Sequence, residues 1–151
     1  MLVRTHIAFS ILIILLFIPH IQFVNDWIFI GVLLLATLLP DIDSGFSTIN
    51  EVTRLKFFKY LTKHRGVIHS FTVCVIITIL LAFFIPTISL AFFLGYASHL
   101  FADSFTVEGI KPFWPFDVKS HWRFKTGSVT ETSLFVFLLF FDLLFFIFII
   151  T

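Results

Sequence analysis

The sequence predicts an all-α fold, a polytopic membrane bundle of about five transmembrane helices, and three observations predict it. The first is composition: 59% of the 151 residues are hydrophobic and 13% are charged, against roughly 45–50% and 25% in soluble domains. The second is the recurrence of apolar runs from residue 5 to residue 150 with no Gly/Ser/Pro-rich linker between them. The third is the confinement of Lys and Arg to alternate connections. Length and the unbroken pattern predict a single domain over 1–151.

Crossing a hydrocarbon core of roughly 30 Å takes about 20 apolar residues at about 1.5 Å of rise each. Five segments approach that length, at 5–24, 27–39, 67–85, 87–105 and 134–150. The second is short, so it tilts, thins the bilayer locally, or forms a half-membrane hairpin with the first. Asn25-Asp26, Pro40 and Pro86 punctuate the segments, with tight turns expected at 25–26 and around 86. The connections at 40–66 and 106–133 are longer and polar. Arg4 followed by the apolar run at 7–18 resembles the start of a signal peptide, but no small-x-small cleavage site follows, and the segment reads as retained.

Orientation follows from the basic residues, which collect on the cytoplasmic side. Arg54, Lys56, Lys59, Lys63 and Arg65 lie in one long connection, Lys111, Lys119, Arg123 and Lys125 in the other, and Arg4 at the start. The turns at 25–26 and around 86 carry none. An inside N-terminus with five crossings satisfies every flank. The expected location is the plasma or inner membrane, with membrane lipids as partners; nothing suggests nucleic acid. The single Cys74 excludes an intramolecular disulfide and a thiolate zinc cluster, and reads as a small buried hydrophobe. The 24 phenylalanines read as lipid-facing or interhelix filling.

On this topology His6, Asp41, Asp43, His64, His69, His99 and Asp103 share one membrane depth at the cytoplasmic ends of four helices. The topology rests on Lys and Arg alone, so the agreement is independent. His99 and Asp103 are four apart and project from one helix face; Gly95 lies one turn earlier, where it lets another helix approach closely, and Thr106 continues the row. Asp41 and Asp43, two apart after Pro40, suit a paired or bridging ligand arrangement. His64 and His69 flank Gly66, a spacing that fits a turn into the third helix.

Four imidazoles and three carboxylates fit two divalent ions, zinc, manganese or iron, with an open position for water. Asp43 or Asp103 is a candidate general base, and Arg65 a candidate for stabilising developing negative charge. Competing readings exist for each: an interfacial His6, a turn-forming Asp41 and Asp43, and a His99–Asp103 hydrogen-bonded pair that only braces the bundle. His20, Asp26 and His121 read as interfacial or solvated. Asp142 falls mid-span, which is costly for a carboxylate without a partner, and it stays outside the expected site.

The ordered strings Thr5-His6, LLPDIDS at 38–44, HRGVIHS at 64–70 and GYASHLFADSFTVEGIKPFWPF at 95–116 resemble the membrane-bound metal-dependent hydrolases, also described as LexA-regulated inner-membrane hydrolases. The resemblance covers about residues 5–116. It implies that the histidines and aspartates named above are metal ligands, in an arrangement likened to zinc-dependent phospholipase C. Ile68 and Phe113 depart from the commoner threonine and leucine and touch no expected ligand. The expected function is therefore a metal-dependent hydrolase acting on an ester or phosphoester, with a lipid headgroup as the fitting substrate. The alternative is a non-enzymatic metal-binding, transport or structural membrane protein. Transporters place polar groups near the midplane, and here only Asp142 lies deep.

Overall fold

The computed structural model describes residues 1–21, 25–41 and 67–151. Among them are five α-helices: α1 Val3–Phe17, α2 Asp26–Leu38, α3 Phe71–Phe84, α4 Pro86–Ser104 and α5 Val129–Ile150. Short 3₁₀ turns extend α1 through Ile18–His20 and α2 through Leu39–Asp41. The all-helical expectation holds among these residues.

Boundaries follow local chemistry. Asn25 caps α2 by accepting from the Trp27 N–H at 3.0 Å, and Pro40 closes the same helix inside its 3₁₀ turn, as expected. The segment expected to start at 67 becomes helical only at Phe71. Ser70 takes the N-cap, accepting from the Val73 N–H at 3.3 Å, which leaves His69 in the preceding turn. Pro86 opens α4 directly after Ile85, where its missing N–H costs nothing. The last helix starts at Val129, five residues before the expected boundary, because Ser128 caps it and accepts from the Glu131 N–H at 3.4 Å.

Of these helices, Val3–His20 (with its 3₁₀ turn) and Val129–Ile150 are long and apolar enough to cross a membrane, with mean hydropathies of 1.8 and 2.9. In α5 only 11% of the most apolar stretch is buried. A soluble core helix would bury most of such a surface. The 13 residues of α2 and the 14 of α3 rise only about 20 Å, less than a hydrocarbon core. In α4, Ser98, His99, Asp103 and Ser104 dilute the apolar character.

The helices meet through two apolar clusters. One joins Ala36, Cys74, Phe92, Tyr96, Leu100 and Ile110; the other joins Ile14, Ile21, Phe29, Leu33 and Ala91. Cys74 thus fills core space, as expected. Gly95 is where α2 and α4 come closest: a Cβ there would stand 2.2 Å from the Leu33 carbonyl oxygen, so only glycine fits. Beside it a buried polar knot ties three helices, with Ser10 Oγ 2.7 Å from Thr37 Oγ1 and 3.4 Å from Ser98 Oγ. Thr37 also donates to the Leu33 carbonyl, so these hydroxyls are satisfied within the apolar bundle.

The segment between α4 and α5 folds back over the same end. Ile110 and Ser120 exchange backbone bonds at 2.9 Å. Gly109, at φ +62°, permits this turn, and a side chain there would strike the Ser120 carbonyl. The Pro112 carbonyl then accepts from the Phe71 and Thr72 N–H groups at 2.9 and 3.4 Å, satisfying donors that the start of α3 leaves open.

Candidate metal centre

Five of the expected ligands fall within the described residues, and the fold brings all five together. His6 stands in the second turn of α1, Asp41 ends the turn after α2, His69 precedes α3, and His99 and Asp103 lie in the last turns of α4. His6, His69, His99 and Asp103 are buried, whereas the Asp41 side chain is 32% exposed and marks the open side. Asp43, His64 and Arg65, also expected here, lie outside the described residues.

Three of the segments that carry ligands are held from behind. The Tyr96 hydroxyl, three residues before His99, donates to the Ile68 carbonyl at 2.6 Å and fixes the turn that carries His69. Thr106 Oγ1 donates to the Asp103 carbonyl at 2.8 Å and accepts from the Gly109 N–H at 3.1 Å, so it closes α4 instead of extending the row toward the ligands. The α1 side depends on Glu131, which the sequence reading left out. Its buried carboxylate accepts from the Leu2 and Gly127 N–H groups, each at 2.6 Å, and from Thr5 Oγ1 at 3.3 Å. It ties the first turn of α1 to the start of α5 and so sets the position of His6. The Ser128-x-x-Glu131 spacing, a capping-box pattern, was the available signal.

The spacing of the ligand atoms is the informative feature. Nε2 of His99 lies 3.6 Å from Asp41 Oδ1 and 3.8 Å from Asp103 Oδ2. Nε2 of His69 lies 3.8 and 4.0 Å from the same two oxygens. These separations exceed the roughly 2.7–3.2 Å of an N–H···O hydrogen bond. They approach the roughly 3.3–3.5 Å between neighbouring donor atoms around an ion with bonds of about 2.0–2.2 Å. The His99–Asp103 pair is therefore not a direct hydrogen bond, which removes the simplest bracing role.

Asp103 presents its other oxygen, Oδ1, to His6 Nε2 at 3.3 Å and to the Met1 amine at 2.5 Å. The His6 and His99 rings stack nearly parallel, with centroids 3.9 Å apart, and the His69 ring meets that of His99 edge-on at 5.6 Å. Both ring nitrogens of His99 and Nδ1 of His6 are buried without a hydrogen-bond partner among the described residues. Buried polar atoms are rarely left so, and an ion is one partner that satisfies them. Two overlapping sets, His6–Asp41–His99 and His69–His99–Asp103, each offer donor atoms within 4.8 Å of one another. The residues present fit a divalent cation of the zinc class, with mixed nitrogen and oxygen donors. His99 belongs to both sets and Asp103 faces both sides.

The expected outsiders stay outside: Asp26 and His121 are exposed, as is His20 at the end of its 3₁₀ turn. Asp142 is buried in α5, and neither carboxylate oxygen has a hydrogen-bond partner among the described residues. Comparison with curated proteins and with solved structures gives no match. The family described as YdjM inner membrane protein matches residues 1–150, and the chain belongs to that inner-membrane family.

Proposed function

We propose that this chain is a multi-pass, membrane-bound metal-dependent hydrolase that cleaves an ester or phosphoester, with a lipid headgroup as substrate, at the cytoplasmic interface. The observation that carries the reading is the arrangement of the His69 and His99 nitrogens and the Asp41 and Asp103 oxygens, spaced 3.6–4.0 Å apart. His6 stands beside them against the second oxygen of Asp103.

His69, His99, Asp41 and Asp103 would hold one ion. His6 and the Oδ1 side of Asp103 would begin a second site, with Asp43 and His64 as its remaining ligands. A bound divalent ion supplies Lewis acidity, making water nucleophilic near neutral pH and stabilising charge on the ester. The chain's own groups do the rest. Asp103 turns both oxygens to imidazoles, which favours it as a ligand alone and leaves Asp43, through the carboxylate oxygen not given to the ion, as the general base. Arg65 stabilises negative charge developing on the substrate. Half-buried Asp41 sits on the side from which a headgroup would arrive.

In this reading the chain crosses five times from an inside N-terminus, so that the polar ends of α1 to α4 meet at one interface. The helices too short to span alone lean on neighbours. Headgroup release decides the function: full-length protein, reconstituted with a panel of phospholipids and loaded with zinc, manganese or iron, is expected to liberate a headgroup. Chelation and His99→Ala should both abolish it. No release from any lipid by metal-loaded protein would overturn the hydrolase reading.

A further inference from the structure

Beside the metal centre, between α1, α4 and α5, lies an apolar cavity of about 240 Å³. Its walls include Phe9, Phe101, Phe105 and Leu138, and it also touches Thr5 and Ala102. Thr5 and Ala102 are the chain neighbours of His6 and Asp103, and Met1, whose amine bonds Asp103, also lines the cavity, so it lies beside the ligands without being lined by them. It then runs one turn along each helix, from Thr5 to Phe9 and from Leu134 to Leu138. An apolar cavity of about 150 Å³ already holds a benzene ring. This one is larger and spans one turn of α1 and one of α5.

The polar end is basic. Phe124 lines the cavity there, and its neighbours Arg123 and Lys125 are exposed. Arg4, beside Thr5, is also exposed, with its guanidinium 3.3 Å from Thr132 Oγ1 and stacked over Phe135 at 5.2 Å. An apolar slot with cations at its membrane-surface end complements an amphiphile whose tail is apolar and whose head is negative.

We infer that this cavity seats the headgroup-proximal part of one acyl chain of an anionic phospholipid, whose headgroup Arg4, Arg123 and Lys125 draw to the surface beside the metal ligands. The inference rests on the hydrolase reading only for what happens to the headgroup. Binding stands separately, and the test is arranged accordingly.

The test uses full-length protein in detergent micelles, with phosphatidylglycerol carrying a nitroxide on one acyl chain and the same label on phosphatidylcholine. Electron spin resonance reads the motionally restricted fraction. The expected result is one restricted phosphatidylglycerol per chain, bound at least fivefold more tightly than phosphatidylcholine, in metal-loaded and chelated protein alike. Filling the cavity with Ala102→Trp or Leu138→Trp should weaken binding at least tenfold. The surface variant Arg123→Gln/Lys125→Gln, which leaves the core untouched, should reduce the preference for the anionic lipid at least twofold while retaining a restricted chain. Absence of a restricted component in wild-type protein, or lost binding only on chelation, would overturn the seat. So would an undiminished preference in the surface variant, or wild-type binding in both cavity-filling variants. Retained binding without headgroup release supports the seat and counts only against hydrolysis.

Discussion

Asp103 and Asp142 are both buried carboxylates on apolar helices, and they keep opposite company. Asp103 faces three imidazoles, with nitrogens at 3.3, 3.8 and 4.0 Å. Asp142, mid-way along α5, has both oxygens without a hydrogen-bond partner among the described residues. Desolvating a carboxylate is costly wherever it occurs, so burial alone does not mark a site. Convergence does: α1, the turn before α3 and α4 itself bring three imidazoles to Asp103, and Tyr96, Thr106 and Glu131 back the segments that carry them. The difference is why the proposed metal site lies at one end of the bundle and not in the middle of α5.

The sharpest way to break that contrast is Asp103→Asn, which removes the carboxylate that faces His6 on one side and His69 and His99 on the other. Partners behind a metal ligand already cost about 10–100-fold in affinity when mutated, so a ligand itself should cost at least the upper end of that range. Competition with a chelating dye on purified protein measures it, and wild-type affinity in the variant would exclude Asp103 from the site.

Gly95→Ala probes whether the α2–α4 approach sets the ligand spacing. The added methyl would stand 2.2 Å from the Leu33 oxygen, and such overpacking typically costs about 1–3 kcal/mol. Thermal unfolding in detergent should show a lower midpoint, and metal affinity should fall with it because Asp41 and His99 sit on the two separated helices. Unchanged stability would mean that the helices part without cost.

The smallest effect is expected from Asp142→Leu. It should leave metal content unchanged and raise stability by about 1 kcal/mol, since it removes a buried acceptor without a partner. Metal loss in this variant would erase the distinction between the two carboxylates.

How much of this was legible in the sequence depends on the range of the interaction. The i, i+4 relation of His99 and Asp103, the close approach at Gly95 and the helix stops at Pro40 and Pro86 are local or nearly so, and each appears in the structure where the residues place it. That His6, Asp41, His69, His99 and Asp103 come together was expected from Lys and Arg placement, because charge sidedness constrains all helix ends together, and the fold does group these five. The start of α5 was missed because Thr130, Glu131 and Thr132 look polar, although Ser128 and Glu131 carried a capping signature. The Tyr96–Ile68 bond, the Pro112 carbonyl over α3 and the stacking of His6 on His99 were not legible at all. Each joins segments far apart in the chain, and no periodicity encodes them. Asp43, His64 and Arg65 rest on motif position alone.

Metal stoichiometry tests the central claim most directly. Full-length protein purified without chelators should carry one or two divalent ions per chain by elemental analysis, and His99→Ala, which removes the residue common to both ligand sets, should carry close to none while remaining folded. Equal metal content in the two proteins, or none in the wild type after loading with zinc, manganese and iron, would contradict it.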